Sequence, residues 1–114
     1  MRIVMCDDDI AMLEKLTKCL RQFFSENGLS QPKYATYTNG EELLEKERNM
    51  DIAFLDVEMP GLSGIHVGAK LQKVNRYAKI FILTSYPDYL DEAMRFRVFC
   101  YLSKPLEKTD CSGI

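Results

Sequence analysis

Four short stretches of the chain are almost free of charge and rich in β-branched or aromatic residues: RIVMC at 2–6, IAFL at 52–55, KIFIL at 79–83 and VFCYL at 98–102. Their apolar residues run on without alternating with polar ones. Such runs mark strands covered on both faces, as in a parallel sheet flanked by helices. A weaker strand is expected at KYATYT, 33–38. Between these stretches the pattern becomes helical. Leu13, Leu16, Cys19, Leu20, Phe23 and Phe24 recur at intervals of three and four, and ENG at 26–28 should stop that helix. Thr38-Asn39-Gly40-Glu41 has the form of a capping box ahead of the helix in EELLEKE. Ile65, Ala69, Leu71 and Val74 define a third, less regular helix; PDYLDEAMRF at 87–96 defines a fourth, with Pro87 suited to its first turn. Strands alternating with helices predict a single α/β domain on five parallel strands.

Polar residues sit where these strands end. Asp7 and Asp8 follow the first, Asp56 the third, Thr84 the fourth and Lys104 the fifth. In an open parallel sheet the carboxyl ends of the strands share one edge, where ligands bind. Groups far apart in the chain are thus expected to meet there. Adjacent carboxylates repel one another and are costly to take out of water, so the cluster calls for a cation. Oxygen ligands without histidine or thiolate select Mg²⁺ or Mn²⁺ rather than zinc. Magnesium keeps several waters and binds through one or two carboxylates plus a phosphate, so a phosphoryl group is the expected further ligand. Lys104 would offer a compact positive charge to a phosphate oxygen and Thr84 a hydroxyl. One carboxylate can then act as nucleophile and form an aspartyl phosphate. Acids at strand ends also cap helices; Asp8 or Asp9 could do so for the helix starting near Ile10, a role that suits Asp9 best.

Length and charge narrow the picture further. At 114 residues the chain has room for one core, and its net charge of −2 comes without a basic stripe, which argues against direct nucleic-acid binding. No apolar stretch reaches 18 residues and no signal-peptide pattern opens the chain, so a cytoplasmic protein without membrane contact is expected. Cys6, Cys19, Cys100 and Cys111 show no C-x-x-C spacing and read as small residues kept reduced. The single histidine, His66, has no partner histidine or cysteine nearby and reads as a solvated helix residue.

The pieces IVMCDDD, IAFLDVEMPGLSGI, IFILTSY and CYLSKP, in this order, resemble the receiver domain of bacterial two-component response regulators, the CheY-like superfamily. The resemblance spans residues 1–106, leaving 107–114 as a short tail. It implies a doubly wound, flavodoxin-like sheet of order 2-1-3-4-5 and a phosphorylation-dependent signalling switch rather than a metabolic enzyme. By it Asp56 is the phosphoacceptor, while Asp7 and Asp8 hold Mg²⁺ with Asp56 and the backbone carbonyl of Glu58. Thr84 and Lys104 contact the phosphoryl group, and Tyr101 is the aromatic that switches with Thr84. Glu58, Ser85 and Tyr86 border the pocket, and Lys104-Pro105 is a cis peptide. The implied partners are a sensor histidine kinase and an output DNA-binding domain in a longer chain, with the stretch from Thr84 to Lys108 resembling regulators of the LytTR-output class. Oligomeric state, a homodimer included, is left open.

Two other readings compete. A small Mg²⁺-dependent phosphatase of the haloacid-dehalogenase kind would use Asp7-x-Asp9, but Ile10-Ala11 follows where that class has a small residue and threonine, and no cap domain is present. A receiver that has lost its chemistry is not supported by any of the site positions. The final helix is expected to be truncated, since only LEKTDCSGI follows Pro105, and one sheet face, including alternate residues of RIVMC and VFCYL, would then be partly bare.

Overall fold

The computed structural model describes residues 1–57, 63–84 and 100–103, with backbone alone for Thr84 and residues 100–103. The helix expected at 87–96 and the tail after residue 103 lie outside the described residues. Five parallel strands form one sheet in the order β2-β1-β3-β4-β5. They are β1 (Arg2–Cys6), β2 (Lys33–Tyr37), β3 (Ile52–Asp56), β4 (Lys79–Thr84) and β5 (Cys100–Ser103), joined in part by α1 (Ile10–Glu26), α2 (Gly40–Lys46) and α3 (Gly64–Val74). The expected sheet is therefore observed, with β3 and β4 each one residue longer, ending at Asp56 and Thr84, β2 one residue shorter and β5 reaching Ser103.

Side chains alternate across a strand, so each continuous apolar run feeds two cores at once. Val4, Cys6, Ala53, Leu55, Ile80 and Ile82 pack on one face with Leu43 of α2 and Ile65, Val67 and Leu71 of α3. Ile3, Met5, Ile52, Phe54, Phe81 and Leu83 pack on the other with Leu13, Leu16, Leu20 and Phe24 of α1. The Phe54 and Phe81 rings stack at 4.8 Å across the β3–β4 pair. Each buried Val, Leu, Ile, Phe or Met among them stabilises the fold by about 1.5–3 kcal/mol. The expectation that alternate residues of RIVMC would be partly bare does not hold, since Ile3 and Met5 are both 0% exposed, and the same expectation for VFCYL falls on side chains outside the described ones. Ile3 and Met5 lie in the same core as the long apolar stripe of α1.

The helix ends follow from local chemistry. Asp9 caps α1, its carboxylate accepting from the N–H groups of Ala11 and Met12 at 3.0 and 3.4 Å. The helix stops at Asn27, and Gly28, at φ 65°, takes the left-handed turn that follows. The cap of α2 is one residue later than the sequence pattern indicates: Asn39, not Thr38, accepts from Glu42 N–H at 2.8 Å. Asn is at least as good a cap as Thr, and with Asn39 in that role Glu41 and Glu42 both fall in the first turn. In α3 the buried stripe is Ile65, Val67, Gly68 and Leu71, whereas Val74 is exposed. Val74 is the helix's last residue, past the stripe that faces the sheet.

The order of the strands matters for function. β1 and β3 are neighbours at the centre, with Cys6 opposite Leu55. Their next residues, Asp7 and Asp56, therefore leave the same edge side by side, at the point where the strand order reverses and ligands find a crevice.

Candidate functional site: an acidic cluster at the carboxyl edge of the sheet

Carboxylate oxygens of Asp7, Asp8 and Asp56 lie within 4.8 Å of one another. Asp7 and Asp56 are almost fully buried, at 4% and 1% exposed, while Asp8 is exposed. Two main-chain bonds hold the edge in place. Asp7 N–H donates to the Tyr37 carbonyl at 3.1 Å, tying the end of β1 to β2, and Val57 N–H donates to the Leu83 carbonyl at 3.1 Å, tying the end of β3 to β4. Asp7 Oδ1 also accepts from Asp9 N–H at 2.9 Å, which fixes the turn between β1 and α1.

Like charges at this spacing are stabilised by a cation. Oxygens bound to one Mg²⁺ at ~2.1 Å sit roughly 3–4 Å apart, close to the spacing of these three carboxylates. The donors are hard oxygens throughout, and the thiol of Cys6, next to Asp7 in the chain, is unsuited to ligation. Burial, then the neighbouring Asp7, Asp56 and Asp8 charges, push the Cys6 thiol up to about 12, so it stays protonated at neutral pH. The residues present fit a hard divalent ion and not zinc.

Of the residues expected at this edge, Asp7, Asp8 and Asp56 are brought together and Asp9 is not, because its carboxylate is turned to α1. Thr84 ends β4, one residue beyond the pair Asp56–Leu83, so its backbone reaches the same edge. Tyr101 lies in β5 opposite Ile82. Glu58, Ser85, Tyr86 and Lys104 lie outside the described residues. His66 is exposed on α3, its Nδ1 3.1 Å from the hydroxyl of Ser63, the cap of that helix. Cys6 is buried and Cys19 half-buried.

Two features escaped the sequence pattern. Glu47 reads as one more surface acid of EELLEKE, yet it is 5% exposed and joins Arg2 through two bonds of 2.7 Å. Gly64 reads as part of a turn, yet it lies in close contact with the backbone of Asp56. The only signal for either was a residue type without an evident local reason.

The model of a known family, the response regulator receiver domain, matches residues 3–112. The sensory transduction protein LytT of Oceanobacillus iheyensis is 32% identical over 110 residues, covering 93% of this chain and 43% of that protein. The positive alginate biosynthesis regulatory protein of Pseudomonas aeruginosa is 29% identical over 112 residues, covering 96% of this chain and 44% of that protein. The chain thus spans less than half the length of these relatives. Among solved structures, the response regulator TrrA of Thermotoga maritima, in complex with Mg²⁺ and BeF, is 31% identical with a TM-score of 0.73, covering 98% of this chain and 93% of that one. Within the described residues no helix is long and apolar enough to cross a membrane.

Proposed function

We propose a site chemistry from one premise: the chain belongs to the response regulator receiver domain family. It is a phosphorylation-dependent signalling switch of the two-component kind, not a member of a metabolic enzyme family. Asp56 is the phosphoacceptor in this reading. Its carboxylate oxygen attacks the phosphorus of a phosphohistidine on a sensor histidine kinase, the O–P bond forming as the P–N bond breaks. A bound Mg²⁺ would supply charge neutralisation for the phosphoryl oxygens. Asp8 and Asp56 would hold that ion with the Glu58 carbonyl, and Asp7 would act through a bound water. Lys104 and the Thr84 hydroxyl pair with the phosphoryl oxygens, and Tyr101 follows Thr84 to reshape the surface near β5. The domain promotes its own phosphorylation and dephosphorylation, with Glu58, Ser85 and Tyr86 at the pocket rim.

The observation that carries this reading is the convergence of Asp7, Asp8 and Asp56 within 4.8 Å at the carboxyl edge. The Mg²⁺–BeF complex of the TrrA relative supports Mg²⁺ as the ion, although Mn²⁺ has the same ligand preferences. The LytT relative, of which this chain covers 43%, supports a LytTR-type DNA-binding output domain in a longer chain, and the protein is read as cytoplasmic. The phosphatase alternative loses ground on Asp9, whose carboxylate caps α1 instead of joining the cluster.

The test is intact-protein mass spectrometry after incubation with acetyl phosphate and Mg²⁺. Wild type should gain a single phosphoryl group, and Asp56→Asn none. Full labelling of the Asp56→Asn protein would move the nucleophile to another acid and overturn the assignment.

A further inference from the structure

Gly64, at the start of α3, carries no functional group, yet the structure gives it a close relation to the acceptor. A Cβ placed on Gly64 would lie 2.2 Å from the carbonyl oxygen of Asp56, 2.7 Å from its carbonyl carbon and 3.2 Å from Leu55 Cβ. Two of these three atoms are backbone, and they belong to the acceptor residue itself. A flexible side chain could swing out of the way; the last residue of a central strand cannot. The reason for glycine here is space and not backbone conformation, since Gly28 is the one residue at positive φ among the described residues.

We infer that Gly64 is a positioning residue for the phosphoryl-transfer site, its bare Cα letting α3 seat against the Asp56 carbonyl and fix where the Asp56 carboxylate stands relative to Asp7 and Asp8. The inference rests on the proposed chemistry and adds to it the element that sets its geometry. Asp56 is held laterally by β-pairing, where Val57 N–H donates to the Leu83 carbonyl at 3.1 Å. Contact with Gly64 is a second constraint, from the helix layer that also carries Ile65, Val67 and Leu71 in the core. Any larger residue must separate α3 from β3 by about 1 Å to restore ordinary contact distances. Mg²⁺ demands near-ideal geometry at 2.0–2.1 Å, and a displacement of ~1 Å at a reacting group costs on the order of 10²-fold in rate.

Gly64→Ala is therefore expected to weaken Mg²⁺ binding at least ~10-fold and slow acetyl-phosphate labelling by on the order of 10²-fold at saturating Mg²⁺. Loss of packing alone would not do this, and Leu71→Ala provides the control. It removes a buried side chain from the same helix and places no new atom near Asp56. Both variants are measured beside wild type in trimethylamine N-oxide sufficient to restore wild-type circular dichroism. The inference requires Leu71→Ala to keep Mg²⁺ affinity within about twofold while Gly64→Ala loses it, as a packing change away from a metal site leaves the folded state's ligand geometry in place. Equal losses in the two variants, or unchanged affinity in Gly64→Ala, would overturn it. So would a Gly64→Ala chain that stays unfolded in the osmolyte, which would make Gly64 a folding residue. Wild type that takes no phosphoryl group at all would instead strike the proposed function, and the two failures are told apart by that arm.

Discussion

β1 carries a cluster of charge at each end, and the two are built on opposite principles. At its start, Arg2 donates through Nε and Nη2 to the two carboxylate oxygens of Glu47, both at 2.7 Å, and Tyr37 adds its hydroxyl to the same carboxylate. The Arg2 N–H also donates to Asp51 at 2.8 Å. At its end, Asp7 and Asp8 meet Asp56 with like charges gathered within 4.8 Å. Glu47 and Asp7 are equally buried, at 5% and 4% exposed, so burial does not tell their roles apart. What differs is which charges meet. The first cluster is balanced by opposite charge from within the chain, and its hydrogen bonds pin the end of α2 to the sheet. The second brings like charges together, an arrangement that a divalent cation stabilises. One is a fastening; the other is a receptacle.

The largest expected effect separates the two directly. Mg²⁺ at 100 times its dissociation constant should stabilise wild type by about 2.7 kcal/mol, which raises the melting temperature by roughly 10 °C for a domain of this size. Asp8→Asn and Asp56→Asn should lose most of this shift, and Asp7→Asn a smaller part. At low ionic strength without Mg²⁺, Asp7→Asn should cost less stability than it does with the ion, because one of the like charges is gone. Thermal scans with and without the ion measure both. An Asp7→Asn protein that loses as much stability in chelator as with the ion would mean that Asp7 takes no part in holding it.

Glu47→Gln should give the opposite profile. It leaves Arg2 with a weaker partner and should cost roughly 2 kcal/mol at pH 7, while the Mg²⁺-induced shift and Asp56 labelling stay as in wild type. The pH dependence follows from the same contact. Hydrogen bonds from Arg2 hold the Glu47 carboxyl below its ordinary value of 4.5, with burial opposing and Tyr37 assisting. The unfolded chain thus binds this proton more readily than the folded one. The contribution is complete above about pH 4.5 and is lost as pH falls through the lower folded value. The stability gap between wild type and Glu47→Gln, measured by denaturant melts, should accordingly narrow below about pH 4.5. At the alkaline end, burial and then the Glu47 bond push the Tyr37 hydroxyl up to about 12, so its contribution is full below pH 10 and fades between there and pH 12. Replacing Tyr37 with Phe should remove that alkaline fall.

The ends of β1 also show what a sequence discloses. The strands were legible because a two-sided parallel strand is apolar along its buried length, and IVMC and IAFL are. The acidic cluster was legible for a related reason: strand ends in such a sheet share an edge, so Asp7, Asp8 and Asp56 could be brought together on paper. Glu47 was not, because its partners Arg2 and Tyr37 lie 45 and 10 residues away and nothing local marks it. Gly64 was hidden in the same way, its reason being an atom of Asp56 and not a turn. The cap of α2 slipped by one residue because Thr38 and Asn39 are both good caps and only the chain's path chooses between them. Patterns that follow from a period can be read off a chain; contacts that depend on a meeting of distant residues cannot.

The smallest expected effect concerns Asp9, the third acid of the run and the one placed between the two principles. Its side chain caps α1 by accepting from Ala11 and Met12, while its own N–H donates to Asp7 Oδ1 at 2.9 Å. The first role belongs to the carboxylate and the second to the main chain. Asp9→Ala removes only the first. It should destabilise the fold by about 1 kcal/mol, the usual cost of losing an N-cap. The bond that orients Asp7 is kept, so the Mg²⁺ dissociation constant should stay within about twofold of wild type, as for a change that leaves the ligands' geometry alone. Calorimetric titration with Mg²⁺ beside a denaturant melt reads both quantities on the same protein. A large loss of Mg²⁺ affinity in Asp9→Ala would show that its carboxylate turns from the helix to the ion, and would place all three acids of the run in the receptacle.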